Sequence, residues 1–190
     1  MNWRMLLIGA ALMPLFGCGS SPKTDFFALD AVAPAQPAKG QAAFPVQVAA
    51  VHVPASLDRR EMVRKNGETV DISDTERWTA PLGDMVRNVL SQDLENRLPQ
   101  GKVVLPDAPA PDGTASIVVN IAEFAPEASG KVELKGSWSL LKDGKRAPAL
   151  TRDVAIEAPA GKGGAAAAKA MSEAVGRLAA NIASELAVAG

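Results

Sequence analysis

The sequence predicts an α+β fold: one domain with a largely antiparallel or mixed β-sheet and two amphipathic helices packed on one face. Three observations predict it. Short apolar stretches from Phe26 onward alternate or run as strands do, whereas two longer stretches repeat their apolar residues at helical spacing. These elements come in the order strands, helix, strands, helix, the arrangement of an α+β domain rather than of alternating βα units. The 190 residues, 47 % of them apolar, fill one domain of ordinary size or at most two small ones.

Each element has a local cause. Phe26-Phe27-Ala28-Leu29 is long enough for one strand, and Ala31 to Ala43, rich in Ala, Pro and Gln, reads as a solvated low-complexity loop without a core of its own. Val46, Val48, Val51 and Val53 form a strand whose phase slips at Ala49-Ala50, which predicts a bulge, and Pro54 ends it. Asn66-Gly67, between β-branched flanks from Met62 to Ile72, predicts a hairpin. Pro81 suits a first helical position, and Leu82, Met85, Val86, Val89, Leu90, Leu94 and Leu98 form the buried stripe of a helix stopped by Pro99 and Gly101. Its other face carries Asp84, Arg87, Asp93 and Arg97.

Lys102 to Leu105 reads as a short strand and Pro106 to Thr114 as a loop. Ile117, Val119 and Ile121, with an end at Phe124, give the next strand; Val132, Leu134, Gly136, Trp138 and Leu140 give the inward face of a longer one. Asp143-Gly144 turns the chain into Ala149 to Glu157, with Val154 and Ile156 inward. After Gly161-Lys162-Gly163, a second helix from Ala165 to about Val188 buries Met171, Val175, Leu178, Ile182 and Leu186.

Composition narrows the function. Lys and Arg number 20 against 21 Asp and Glu, and the basic residues have no aromatic platforms beside them, so nucleic acid finds no support. There is no Tyr, one His (His52) and one Cys (Cys18). An internal disulfide is therefore excluded, and a metal site would need carboxylates almost alone; no metal or cofactor is expected. No Ser lies in a Gly-x-Ser-x-Gly elbow, and Gly161-Lys162-Gly163 lacks the upstream Gly and the following Ser or Thr of a phosphate loop. His52 shows no convincing orienting carboxylate or nucleophile nearby in sequence and reads as a strand-surface histidine. No enzyme is expected.

The single cysteine has a different use. Arg4 precedes an apolar run of about a dozen residues, too short to span a bilayer comfortably. The run ends Leu15-Phe16-Gly17-Cys18, which resembles a bacterial lipoprotein signal, with Phe16 bulkier than usual. That reading makes residues 1–17 a signal peptide, 18–25 the lipidated Cys18 and its tether, and 26–190 the folded domain. Acyl chains such as palmitate on Cys18 contribute about 0.8 kcal/mol per buried methylene, so two or three chains anchor the protein lastingly. Gly19, rather than Asp, follows the cysteine; by resemblance to Gram-negative lipoproteins this favours the outer membrane, with the domain facing the periplasm. The stretch Gly19 to Asp25 reaches about 20–25 Å when extended.

The densest charge lies in Val53 to Val63 and Glu76 to Leu82. Asp58, Arg59, Glu76, Arg77 and Trp78 form one candidate partner-binding surface. The competing reading is a loop tied by ion pairs, with Trp78 stapling the start of the helix and filling the core.

Taken together, these segments resemble the PqiC-type, or ABC-type transport, auxiliary lipoproteins across nearly the whole mature chain. Phe26-Phe27-Ala28-Leu29 is similar to that family's aromatic-aromatic-x-Leu strand. Val53-Pro54-x-x-Leu57-Asp58-Arg59 is similar to its Val-Pro-x-Tyr-Leu-Asp-Arg-Pro stretch, with Ser56 for the aromatic and Arg60 for the proline. Arg77-Trp78-x-x-Pro81-Leu82, Phe124, Leu134-x-x-x-Trp138 and the Ala-rich last helix follow in order. The resemblance implies a non-enzymatic outer-membrane adaptor working with an MCE-domain protein and an inner-membrane component in intermembrane lipid transport. The closed ring of such assemblies implies a homo-oligomeric collar. Two other classes stay open: a lipid- or ligand-binding lipoprotein holding an acyl chain between sheet and helices, and, furthest, a periplasmic hydrolase using His52.

Overall fold

A computed structural model describes residues 22–34, 42–142 and 147–188. Cys18, the signal segment and the Asp143-Gly144 turn lie outside the described residues, as do positions 35–41 of the expected loop. Strands form where β-branched residues alternate: β1 (Asp25–Phe27), β2 (Val46–His52), β3 (Glu61–Asn66) and β4 (Thr69–Trp78) precede helix α1 (Leu82–Glu95). Then come β5 (Val103–Val104), β6 (Ala115–Pro126), β7 (Lys131–Leu141), β8 (Leu150–Pro159) and helix α2 (Gly164–Val188). The predicted α+β class is what the chain adopts, with one refinement. The strands divide into two sheets, β1-β4-β3 and β5-β2-β6-β7-β8. Pro54 and the loop after it break the ladder, so the β3–β4 hairpin pairs with β1 instead of joining β2.

Both sheets are mixed. β2 runs parallel to β5 and β6, β1 parallel to β4, and β6, β7 and β8 form an antiparallel meander. The ladder between β2 and β6 slips between Val48 and Ala50, the predicted bulge. A second slip, between Ile121 and Glu123, carries β6 past Gly136, where a Cβ would collide with the Asn120 carbonyl oxygen. The hairpin turns one residue later than Asn66-Gly67 suggested. Asn66 pairs with Thr69, and Gly67 holds the first loop position at φ +59°.

α1 and α2 pack against each other and on the five-stranded sheet, α1 over β2 and β5 and α2 over β6, β7 and β8. Ile117, Val119, Leu134, Trp138 and Leu140 meet Val86, Leu90, Met171, Val175, Leu178 and Ile182 in one fully buried core. The space between sheet and helices, where the lipid-binding alternative would hold an acyl chain, is filled by these side chains.

Three expectations change. The apolar stripe of α1 predicts Asp93 and Arg97 on its polar face; in the structure they are buried, Asp93 at 0 % and Arg97 at 7 % exposure. The cause is a strap. Residues 28–34, expected as the end of the first strand up to Leu29 and a solvated loop from Ala31, dock on the two helices: Leu29 is buried, Val32 N–H donates to Asp93 Oδ1 (2.8 Å), and Arg97 Nη2 donates to the Val32 carbonyl (3.2 Å). Pro81, expected inside the helix, stands just before it.

Candidate functional site

The sequence-predicted residues converge where the small sheet meets both helix N-termini, and the sheet register brings them together. β1 lies on β4 with Asp25 opposite Glu76, Phe26 opposite Arg77 and Phe27 opposite Trp78; β3 closes the other side with Glu61 opposite Arg77. Backbone bonds join the layers, from Trp78 N–H to the Arg60 carbonyl (2.6 Å) and from Thr79 N–H to the Phe27 carbonyl (2.9 Å).

Each carboxylate has a defined task here. Pro81 offers no side-chain cap to α1, and Asp58 supplies one from the preceding loop: its Oδ1 accepts the Gly83 N–H at 2.9 Å. Glu76 does the same for α2. Its Oε1 accepts the Gly164 N–H at 2.8 Å while its Oε2 pairs with Arg64 at 2.5 Å. Both helices thus begin on carboxylates from distant segments, Asp58 in the loop before β3 and Glu76 in β4. Gly164 is required by proximity, since a Cβ there would run into the Phe27 ring.

The arginines meet on a residue that the sequence did not single out. Glu61 Oε2 takes Arg59 Nε at 3.0 Å and its Oε1 takes Arg77 Nη1 at 3.1 Å. The Glu61 carboxyl is held below the usual range, first by its own backbone N–H and then by Arg59. Only the cross-strand register could have revealed this pairing, because Glu61 and Arg77 lie 16 positions apart. Arg59 and Arg77 remain partly exposed, at 39 % and 37 % of their side chains. Trp78, at 2 % exposure, packs in the core, and Asp58 stands at the surface.

Beside this cluster, an apolar cavity of about 160 Å³ opens between the hairpin and the β6 bulge, lined by Leu57, Val63, Val70 and Phe124 and rimmed by Lys65, Glu123 and Glu127. Lys65 Nζ bonds Glu123 Oε2 at 2.8 Å, which holds the Glu123 carboxyl below its ordinary range. His52 is exposed at the end of β2, opposite Asn120. Among the described residues no three His, Cys, Asp or Glu side chains gather as metal ligands, and no helix is long and apolar enough to cross a membrane. What the arrangement offers is a fixed charged surface of arginines and carboxylates backed by core packing.

Solved structures share this architecture. A crystal structure of an uncharacterised protein superposes with a TM-score of 0.70 at 22 % identity, covering 87 % of this chain and 99 % of the other. That of protein XCC0632 from Xanthomonas campestris, assigned to family DUF330, gives 0.69 at 15 % identity, covering 87 % and 95 %. At these identities the likeness is one of fold. No curated protein matches the chain by sequence. A family profile, that of the ABC-type transport auxiliary lipoprotein component, matches residues 27–183, from β1 into the last turns of α2. The chain therefore belongs to the family of ABC-type transport auxiliary lipoprotein components.

Proposed function

We propose that this protein is a PqiC-like, outer-membrane-anchored periplasmic lipoprotein that serves as a non-enzymatic adaptor in an MCE-type intermembrane lipid transport system. The observation that carries the reading is the family match over 27–183, set directly behind a cysteine at the end of a signal-like apolar run. In this reading residues 1–17 are removed, Cys18 is acylated, residues 18–25 are the tether and 26–190 the domain. The protein acts by holding its MCE partner and the inner-membrane component in register, as a homo-oligomeric collar matched to a closed ring. The partner meets the surface around Arg59 and Arg77, whose partly exposed guanidiniums are held by Glu61, while Asp58, Glu76 and Trp78 keep that surface rigid against the helices.

Three measurements test it. Cys18→Ala moves the protein from the membrane to the soluble periplasmic fraction; a membrane-bound variant cleaved upstream of the same site contradicts the anchor. A photocrosslinker at position 59 recovers an MCE-domain protein from cells, and recovery of only unrelated envelope proteins contradicts the adaptor role. Light scattering on the purified protein reports an oligomer, and a strict monomer at high concentration counts against the collar.

A further inference from the structure

Phe26 is the largest side chain among the exposed apolar residues described, at 61 % exposure, and it stands at the very start of the folded domain. Its neighbour Phe27 points the other way, against Gly164 at the start of α2. Between β1, the strap and the first turns of α2 runs an open groove of about 580 Å³. Ala28, Ala31, Ala165 and Ala168 make it apolar, exposed Lys169 lies on its α2 wall, and Asp30 and Glu173 keep parts of the rim polar.

The length of chain outside the structure says what lies opposite. The described residues begin at Pro22 and β1 at Asp25, and Gly19 to Thr24 reaches about 20 Å at most, so an anchor at Cys18 keeps this face close to the leaflet that holds it. A phenyl ring on an exposed face, sharing a groove with a lysine whose stem can lie along apolar surface, suits the boundary between headgroups and acyl chains.

We propose that the Phe26 groove is a membrane-facing surface, with the Phe26 ring seated in the interfacial region of the phospholipid leaflet that carries this chain's own anchor. The inference rests on the acylation of Cys18 proposed above and adds an orientation. The domain sits with the β1 edge of the small sheet and the start of α2 toward lipid, and Arg77, beside Phe26 on the central strand β4, lies between that edge and the Arg59 side of the sheet that meets the partner. The hairpin end of β4, where Val70 is equally exposed, then points away.

The test uses the acylated full chain reconstituted in vesicles of phosphatidylethanolamine and phosphatidylglycerol with brominated acyl chains. Phe26→Trp adds one reporter at an exposed site; the parent's emission, including that of buried Trp78 and Trp138, is subtracted. The added emission is expected to be quenched about twofold by the brominated lipid, while that of Val70→Trp is unquenched. Unquenched Phe26→Trp emission from protein that floats with the vesicles overturns the proposal and leaves the anchor standing. Equal quenching at both positions overturns the orientation. Protein that fails to float overturns the anchor and this proposal with it.

Discussion

The Glu76 carboxylate accepts the backbone N–H of Gly164 at 2.8 Å across 88 positions of sequence, so a residue of the hairpin caps the last helix. An unpaired N–H at a half-buried helix start costs about what a lost cap costs. Glu76→Ala is therefore expected to destabilise the protein by about 1–2 kcal/mol, and Glu76→Gln, which keeps the acceptor oxygen, by clearly less. Asp58→Ala at the start of α1 follows the same logic, at about 1 kcal/mol. Urea unfolding measures both as a lower midpoint with an unchanged slope. A midpoint unmoved by Glu76→Ala would show the cap to be energetically idle.

Gly136 and Gly164 are fixed by what lies against them. Gly136→Ala drives a methyl into a carbonyl oxygen of the neighbouring strand, which side-chain rotation cannot relieve, and is expected to cost about 3 kcal/mol or more. Gly164→Ala meets an aromatic ring that can be removed. Its cost is expected to shrink in a Phe27→Ala background, as a thermal-melt double-mutant cycle would register.

The buried pair Asp93–Arg97 (3.1 Å) holds the strap through Val32. Arg97→Met leaves Asp93 buried and uncompensated, an expected loss of about 3 kcal/mol, with faster protease cleavage between residues 28 and 34. Adding Asp93→Leu is expected to recover part of that stability, because the uncompensated charge goes, but not the protection of the strap. A double variant no more stable than Arg97→Met would argue against the pairing.

Glu123 and Asp93 act on the acid limb of stability with opposite signs. The hydrogen bond from Lys65 holds Glu123 below its ordinary 4.5, so its contribution is present above that value and is lost as pH falls through the folded pKa. Glu123→Gln is expected to flatten this part of the curve, and added salt to shrink it. Burial pushes Asp93 above its ordinary 3.8, against the pull of Val32 N–H and Arg97. Its contribution is therefore full below that value and is lost as pH rises through the folded pKa. Carbon-13 titration of the Asp93 carboxyl is expected to show a midpoint above 3.8; one below it would reverse the sign.

Much of the fold was legible because it follows from local periodicity. The stripe Met171, Val175, Leu178, Ile182 and Leu186 is buried as its spacing required, the β2 bulge falls at the predicted slip, and β7 turns Val132, Leu134, Trp138 and Leu140 inward. The family was legible too, since its motifs are runs of neighbouring residues. The sequence by itself determined the element types, their order, and the absence of an internal disulfide that follows from a single cysteine. Only the tertiary structure decided what the polar residues do. Asp93 and Arg97 at four-residue spacing look the same on a solvated helix face as under a strap, and neither the Glu61 pairing nor the Glu76 cap leaves a local pattern. Apolar burial repeats with the helix or strand period and can be read along the chain. A capped N–H or a paired buried charge depends on which distant segment arrives, and that is settled only when the sheet register closes.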